Sequence, residues 1–584
     1  MTRHLPAATA LTLLALAPLI LGPFTVTLLG YVGIYSLAAL GLVLLTGIGG
    51  IVSFGQAAFV GIAAYTTAYA TTAYPISPWL GLVLALAVTC TTAALVGALT
   101  LRLRGHFLSL STVAWGLAIY YLFGTLDGLG GHNGIANIPP ITAPFTSPPI
   151  PLTGPAPFYL IWATVAAALL LTTNILRARP GRAMHVLRGG NILAESLGID
   201  PFRTRLTLFV LSAALSGWLY AHLGRFVSPS SFNVEPGIEY LMMAMVGGSG
   251  HILGAVLGAT LVTLLKNTVQ DWLPRIAPGA AGQLEIVVFS LLFILVLQRA
   301  RNGLAPLLLN LLPTPSPSPP PPAPPMPRRT QPEPGHPLLE VENLVRRFGG
   351  LTAVDDVTFT VNTGEILGLI GPNGAGKTTL FNLVTAALPP TAGRIAFAGR
   401  PLPRTQRQAA QAGIARTFQH VKLRPRMTLL DTVLLGTHTR TTTGLLAAAL
   451  TLDRTEDAAA RHEALRHLHR TGLANPHALA GTLPLGQQRL LEIARALAAD
   501  PLLLVLDEPA AGLRRPEKQA LATLLKTLQA ERLTILLVEH DMDFLMSLAD
   551  RVVVMQFGTK LTEGDPAHIR ADPKVREAYL GPPG

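Results

Sequence analysis

The sequence predicts a multi-domain chain, an all-α polytopic membrane domain followed by a soluble α/β P-loop domain. Three observations carry this expectation. Charge is unevenly spread: residues 1–312 hold 14 Lys/Arg and 7 Asp/Glu, and residues 313–584 hold 30 and 25. Apolar runs approaching or exceeding the ~20 residues that cross a bilayer recur through that charge-poor first half. In the second half, Gly371-Pro372-Asn373-Gly374-Ala375-Gly376-Lys377-Thr378-Thr379 is a complete G-x-x-x-x-G-K-[ST] loop.

The membrane half opens with Arg3 and His4 before an apolar stretch from Leu5 to about Leu29. No clear A-x-A cleavage site closes it and more spans follow, so it reads as a first membrane helix rather than a signal peptide. Further spans are expected near 31–49, 51–73, 79–100, 107–126, 158–176, 206–226, 238–265 and 284–298, about 8–10 membrane segments in all. Arg102 and Arg104, the group Arg177, Arg179, Arg182, Arg188, Arg203 and Arg205, and Arg299 with Arg301 flank these spans and are expected in the cytoplasm. The loop 127–157 has one acid, no Lys or Arg and several prolines, and reads as external. This orientation holds if 238–265 breaks at Gly247-Gly248-Ser249-Gly250 and returns to the face it came from.

Gly41, Gly47, Gly49, Gly50, Gly55 and Gly61 let helices approach closely, and suit ordinary packing as well as a translocation path. Glu285 is either interfacial or functional. No charged ligand set for an amino acid stands out in the spans. The net charge of +12 comes with arginines flanking apolar spans, which fits membrane topology and not nucleic acid. Cys90 is the single cysteine, so an intrachain disulfide or cysteine-based metal site is excluded.

Residues 313–337 are about half proline and favour extended polyproline II. At ~3.1 Å per residue the stretch reaches about 75 Å. It reads as a spacer tethering a cytoplasmic domain, with a proline-recognition ligand as the alternative.

The soluble domain begins at Leu338. The apolar run Ile366–Ile370 precedes the glycine loop and Leu380–Val384 follows it, a strand–loop–helix context. Glycines turn successive N–H groups toward phosphate oxygens, and the helix adds its positive end. Lys377 is expected to reach the β- and γ-phosphates and Thr378 to ligate Mg²⁺. Leu502 to Leu506 form an apolar strand ending in Asp507 and Glu508, expected to serve the Mg²⁺ shell and the attacking water.

The loop 177–205 reads Gly181-Arg182-Ala183-Met184, then Arg188, Asn191 and Ala194-Glu195-Ser196-Leu197-Gly198-Ile199. It resembles the cytoplasmic coupling loop of ABC importer permeases, where a short helix ending in a glycine docks in a groove of the ATPase, and this implies a coupling helix over 188–199 with Arg188, Glu195 and Gly198. Gly198 suits the left-handed residue that stops a helix. Ser53 to Tyr65, Phe209 to Gly217 and Met245 to Gly250 resemble the branched-chain amino acid permeases, specifically the second of their two permease types, over most of residues 30–300. Residues 338–584, including 544–584, resemble the ATPases of the same importers.

This resemblance implies an all-α permease (1–312), a linker (313–337) and an α/β ABC ATPase (338–584). It implies that Phe348 stacks on adenine, a core phenylalanine being the alternative. Gln419, in Arg416-Thr417-Phe418-Gln419, falls where the family senses Mg²⁺ and the attacking water and touches the coupling helix. His540 resembles the switch histidine at the γ-phosphate. Leu483-Pro484-Leu485-Gly486-Gln487 stands where the family has L-S-x-G-Q, presented to the ATP of the opposite ATPase. Pro484 replaces the serine that bonds that ATP's γ-phosphate, and it suits the first turn of a helix. Arg514 replaces a usual Asn. Both departures affect the partner's site, so an asymmetric dimer is expected.

The function implied is ATP-driven import of branched-chain or hydrophobic amino acids across the cytoplasmic (inner) membrane by a permease and ATPase fused in one chain. Its cofactors are ATP and Mg²⁺. Its partners are a second permease subunit, a second ABC ATPase subunit and an extracytoplasmic solute-binding protein. Alternatives are an importer for urea or amides, and a regulatory membrane protein with a degenerate ATPase. An exporter is disfavoured because no long amphipathic extension follows the spans.

Overall fold

The computed structural model describes residues 5–580 apart from 104, 145, 147, 215–216, 277–282, 300–302 and 310–319. Arg3, His4, Arg104, Leu215, Ser216, Arg301 and the first part of the linker, 313–319, lie outside the described residues, as does the Glu285 side chain. The chain forms two compact units, Met1–Leu176 with Phe202–Ser316, and Arg177–Pro201 with Pro317–Gly584.

The first unit is helical: α1 (Leu5–Ile20), α2 (Pro23–Leu42), α3 (Gln56–Ala73), α4 (Pro78–Thr100), α5 (His106–Thr125) and α6 (Ala156–Arg177). The expected span 5–29 is divided. Helix α1 ends at Ile20, and Pro23 starts α2 at a position where its missing N–H costs nothing. The α2 helix then continues to Ile48. Among the described residues, five helices are long and apolar enough to cross a membrane: Pro23–Ile48, Pro78–Thr100, His106–Thr125, Ala156–Arg177 and Pro201–Gly224.

The strand β1 (Ile135–Ala136) of the 127–157 loop pairs antiparallel with β2 (Phe226–Val227). Between them in sequence come α7 (Arg179–Val186) and α8 (Asn191–Ser196) of the second unit, then α9 (Pro201–Ala213) and α10 (Gly217–Gly224) of the first. The expected break of the 238–265 span is present. Helix α11 (Val234–Gly247) ends at the glycine run, and α12 (Gly254–Ile276) begins after it. A Cβ on Gly258 would lie 1.8 Å from the Met243 carbonyl oxygen, and one on Gly247 would lie 1.7 Å from that of Gly254. Those pairings run in opposite directions along the chain, so α11 and α12 form an antiparallel hairpin whose backbones touch. Helix α13 (Gln283–Arg299) and the short α14 (Leu304–Leu309) complete the unit.

The second unit carries two sheets. Strands β3 (Pro337–Phe348), β4 (Leu351–Asn362), β6 (Ala392–Phe397) and β7 (Arg400–Pro401) form an antiparallel sheet in the order β4-β3-β6-β7. Strands β5 (Ile366–Ile370), β8 (Ile414–Arg416), β9 (Leu503–Asp507), β10 (Thr534–Val538), β11 (Arg551–Gln556) and β12 (Thr559–Gly564) form the other, in the order β12-β11-β5-β10-β9-β8. All its pairings are parallel except β11–β12. Every residue of β5, β9 and β10 is buried, which explains their unbroken apolar sequence. The helices that matter below are α15 (Lys377–Val384), α16 (Gln406–Ala412), α17 (Leu429–Leu434), α18 (Leu445–Ala449), α19 (Arg454–Arg470), α20 (Leu485–Leu497) and α21 (Arg515–Ala530).

The described part of the linker is not a free spacer. Up to His336, one residue short of the expected boundary, it holds no helix or strand, as its prolines dictate, but it is seated on the ATPase. Met326 is buried among Leu429, Leu430, Val433 and Ala464 of α17 and α19. The Arg329 N–H donates to Asp500 Oδ2 at 2.5 Å, and Arg440 Nη2 donates to the Pro327 carbonyl at 3.0 Å. A proline segment orders cheaply because its φ is already set.

Candidate nucleotide site and coupling groove

Parallel strands bring their carboxyl ends to one edge, where ligands of open α/β sheets bind. The loop 371–376 joins the end of β5 to the start of α15, as the sequence predicted. Gly371, Gly374 and Gly376 all have positive φ. A Cβ on Gly376 would stand 2.2 Å from the Ala353 carbonyl oxygen, so that position admits only glycine. Pro372, Asn373 and Ala375 complete the turn, Thr378 is exposed on the first turn of α15 and Thr379 is half-buried. Lys377 is buried, and its Nζ donates to the Gly371 and Pro372 carbonyls at 2.7 and 3.0 Å. Burial lowers its pKa, against the pull of Glu508 and Asp507.

Three more predicted residues meet at the neighbouring strand ends. Glu508 Oε1 lies 2.8 Å from His540 Nε2 and accepts from Gln419 Nε2 at 3.2 Å. Each follows a different parallel strand: β9, β10 and β8. Glu508 has a φ of 47°, and its N–H donates to the Val538 carbonyl at 2.9 Å, which fastens the acid to β10. Asp507 is buried at the end of β9, and burial raises its carboxyl, opposed by Arg416 and reinforced by Glu508. A hydroxyl (Thr378), an amide (Gln419) and a carboxylate (Asp507) are hard oxygen donors of the kind Mg²⁺ takes beside nucleotide phosphates, and a cation there would relieve the crowded acids. The residues fit that ion.

Sequence reasoning gave Arg416 no role. Its Nη1 donates to Asn382 Oδ1 and Thr385 Oγ1 at 3.0 and 2.9 Å, tying the loop before Gln419 to α15, and burial lowers its pKa to about 10. Glu539 was also missed. It accepts from the Ala510 N–H at 2.6 Å and orders the turn after Glu508. The signal for Arg416 was a lone arginine directly after an apolar strand segment.

Phe348 is 43% exposed at the end of β3, with the Arg346 guanidinium 4.6 Å from its ring centre, so it is not a core phenylalanine. In the segment Leu483 to Gln487, Pro484 is exposed and caps α20 from one residue outside the first turn, with a ψ of 154° and no side-chain hydrogen bond. The expectation of a first-turn position is corrected. The helix starts at Leu485, and the Pro484 carbonyl still accepts from the Gln488 N–H at 3.0 Å. Gly486 packs against Leu513 and Glu517, while Leu485 and Gln487 are exposed. Arg514 caps α21 through its backbone N–H, which donates to Glu517 Oε2 at 2.8 Å.

Residues 177–201 belong to the same compact unit as the nucleotide loop. A single 188–199 helix is not what forms. Gly190, with a φ of 93°, breaks it, leaving Arg188 in a short turn and Glu195 on α8. Gly198 has a φ of 76°, as expected for a helix stop. Ala183, Val186, Leu193, Ala194, Leu197 and Ile199 share one buried cluster with Phe418, Met427 and Leu435. Phe418 precedes Gln419, so the segment packs one residue from the Glu508 contact. Polar contacts rim the cluster: Arg182 with Asp457 at 2.8 Å, Asp200 with Arg407 at 3.1 Å, and Arg424 Nη1 with His185 Nδ1 at 2.6 Å. Burial raises Glu195, reinforced by Asp200 and opposed by Arg407, and lowers Arg188, with Arg426 adding to it.

Comparison with known proteins finds relatives of both halves of the chain. Residues 24–297 match the family described as "Branched-chain amino acid transport system / permease component", residues 354–511 match "ABC transporter", and residues 559–581 match "Branched-chain amino acid ATP-binding cassette transporter". The high-affinity branched-chain amino acid transport ATP-binding protein LivG of Salmonella typhimurium is 44% identical over 250 residues, 42% of this chain and 98% of that protein. BraF of Pseudomonas aeruginosa is 42% identical over 252 residues, with 42% and 98% covered. A crystal structure of a nucleotide-free ATP-binding cassette from an ABC transporter is 31% identical, with 42% of this chain and 100% of that one covered and a TM-score of 0.38. With a helical permease domain and an ATP-hydrolysing cassette in one membrane protein, the chain belongs to the branched-chain amino acid ABC transporter family.

Proposed function

We propose that the chain drives import of branched-chain or other hydrophobic amino acids across the cytoplasmic membrane, as combined permease and ATP-binding subunit. The observation that carries this is the buried cluster joining residues 183–199 to Phe418, next to the Gln419–Glu508–His540 contact. A change at the ATP phosphates is thereby felt in a segment continuous with the permease helices α6 and α9. The permease is multi-pass, with residues 177–201 and the ATPase in the cytoplasm, in line with the arginines there.

In this reading Lys377 leaves the Gly371 and Pro372 carbonyls for the β- and γ-phosphates. Glu508 orients and polarises the attacking water, His540 contacts the γ-phosphate, and Gln419 reports on both. Phe348 supports the adenine. Thr378 and Asp507, with Gln419 near, would hold Mg²⁺, which would supply charge neutralisation at the phosphates. Closure of two ATPases then moves the coupling segments and turns the permease outward, and hydrolysis resets it. The assembly needs a second permease, a second ATPase and an external solute-binding protein.

A regulatory protein with a weakened ATPase is the second reading, and Pro484, a cap with no side-chain hydrogen bond, favours it. Measuring ATP hydrolysis decides between them. Wild type should hydrolyse ATP, and Glu508→Gln should lose at least a hundredfold while still binding ATP. Equal rates would leave only the regulatory reading. Uptake by the assembled complex with leucine, isoleucine, valine and urea as competitors then tests the substrate class against an importer of urea or amides.

A further inference from the structure

In the first unit, four tyrosines from three separate helical elements form a cluster beside one ion pair. The rings of Tyr35 and Tyr240 have centres 5.7 Å apart, Tyr31 and Tyr35 5.9 Å, and Tyr31 and Tyr220 6.3 Å. Beside Tyr240, Glu239 Oε1 accepts from Lys266 Nζ at 2.5 Å across the α11–α12 hairpin. Glu239 lies within electrostatic reach of the Tyr35 and Tyr240 hydroxyls.

The depth of this cluster follows from α2. Tyr35 stands at the middle of the 26-residue apolar helix Pro23–Ile48, about 18 Å from its start at ~1.5 Å per residue. The ion pair therefore lies beside mid-span, where an ionised side chain facing lipid is costly. It is not sealed in the helical core either. The Lys266 and Glu239 side chains are 39% and 22% exposed, so the pair opens onto a space this chain does not fill. Charged groups in spans that face neither lipid nor core line a polar path. The broken α11–α12 pair is the kind of discontinuity at which transporter sites are built.

A hydrophobic amino acid carries groups complementary to this arrangement. Its carboxylate suits the Lys266 ammonium, its ammonium suits the Glu239 carboxylate, and its apolar side chain suits the tyrosine faces, which also attract a cation. The zwitterion would replace the Lys266–Glu239 contact with two contacts of its own and leave the net charge unaltered. Urea, being neutral, gains only hydrogen bonds there and an ion pair with neither charge.

We infer that Glu239 and Lys266, with Tyr31, Tyr35, Tyr220 and Tyr240, form a zwitterion-binding station on the translocation path, which is completed by the second permease. This rests on the importer reading above. The test is uptake of labelled leucine into proteoliposomes holding the assembled transporter with the full chain. Glu239→Gln and Lys266→Gln should each lower uptake at least tenfold at an unchanged melting temperature, and Lys266→Arg should keep at least half. The exchanged pair Glu239→Lys with Lys266→Glu separates a station from a structural contact. It restores an ion pair but points the zwitterion away from the tyrosines, so uptake should stay low. Recovery in the exchanged pair, or full uptake in either folded glutamine variant, overturns the station. Wild type that imports urea or acetamide but no leucine, isoleucine or valine overturns the amino-acid reading itself, before any variant is made.

Discussion

Replacing Gly198 by alanine should uncouple transport from ATP hydrolysis. The magnitude has two parts. A φ of 76° is left-handed, which costs a residue with a side chain ~1–2 kcal/mol. The new Cβ would also stand 2.4 Å from Thr439 Cγ2, on a short branched side chain that cannot swing far. Relieving such an overlap costs ~1–3 kcal/mol in a packed site. The two together weaken docking of residues 183–199 by about 3 kcal/mol, on the order of a hundredfold. ATP binding does not use these atoms, so hydrolysis should persist while leucine taken up per ATP falls sharply. Thr439→Ser in the same chain removes Cγ2 and should recover the steric share only, leaving the backbone share. The reasoning is refuted if Gly198→Ala keeps wild-type uptake per ATP, or if the added Thr439→Ser makes no difference.

Three further outcomes are expected. Pro484→Ser should raise ATP hydrolysis of the assembled complex, because it restores a hydroxyl and a capping side chain at the start of α20; an unchanged rate counts against an asymmetric pair of sites. Acid should loosen the coupling groove. Burial, with Arg424 and Arg188, lowers His185 to about 4, and burial, with Arg179 and Arg182, lowers His438 to about 3. Neutral histidines therefore contribute stability above about pH 6.5 that is lost as pH falls toward 4, about 2 kcal/mol each by pH 5; a melting temperature that rises between pH 7 and 5, or His185→Gln and His438→Gln variants with the same pH slope as wild type, would contradict this. Met326→Ala should lower the melting temperature of the ATPase by removing a buried side chain worth about 2 kcal/mol, whereas a spacer with no docking would show no shift.

The nucleotide site was legible because its parts are local. Gly371 to Thr379 form one loop and the helical turn that follows it, and Asp507 with Glu508 end one apolar strand, so spacing along the chain is spacing in space. Gln419 and His540 were legible only through family resemblance, since each is an isolated polar residue after a strand. Their common partner, Glu508, appears once β8, β9 and β10 are laid side by side. The break of the 238–265 span was legible from its glycines and the arginine balance. The 188–199 helix was not, because it was drawn from family resemblance, and Gly190 with its positive φ divides the folded segment into two docked pieces.

By itself the sequence determined which half enters the membrane, which half binds nucleotide, where the glycine loop lies and where the family signature departs at Pro484 and Arg514. These follow from composition and from contacts between residues close in the chain. Tertiary packing alone showed that the proline linker is seated through Met326, that Arg416 ties the end of β8 to α15, and that Phe418 packs against residues 183–199. It alone brought Glu239 and Lys266 together. They stand on different helices, and separately each is one more charge at the end of an apolar run. Long-range contact is set by how apolar faces pack, and no local pattern encodes which polar groups that packing leaves facing each other.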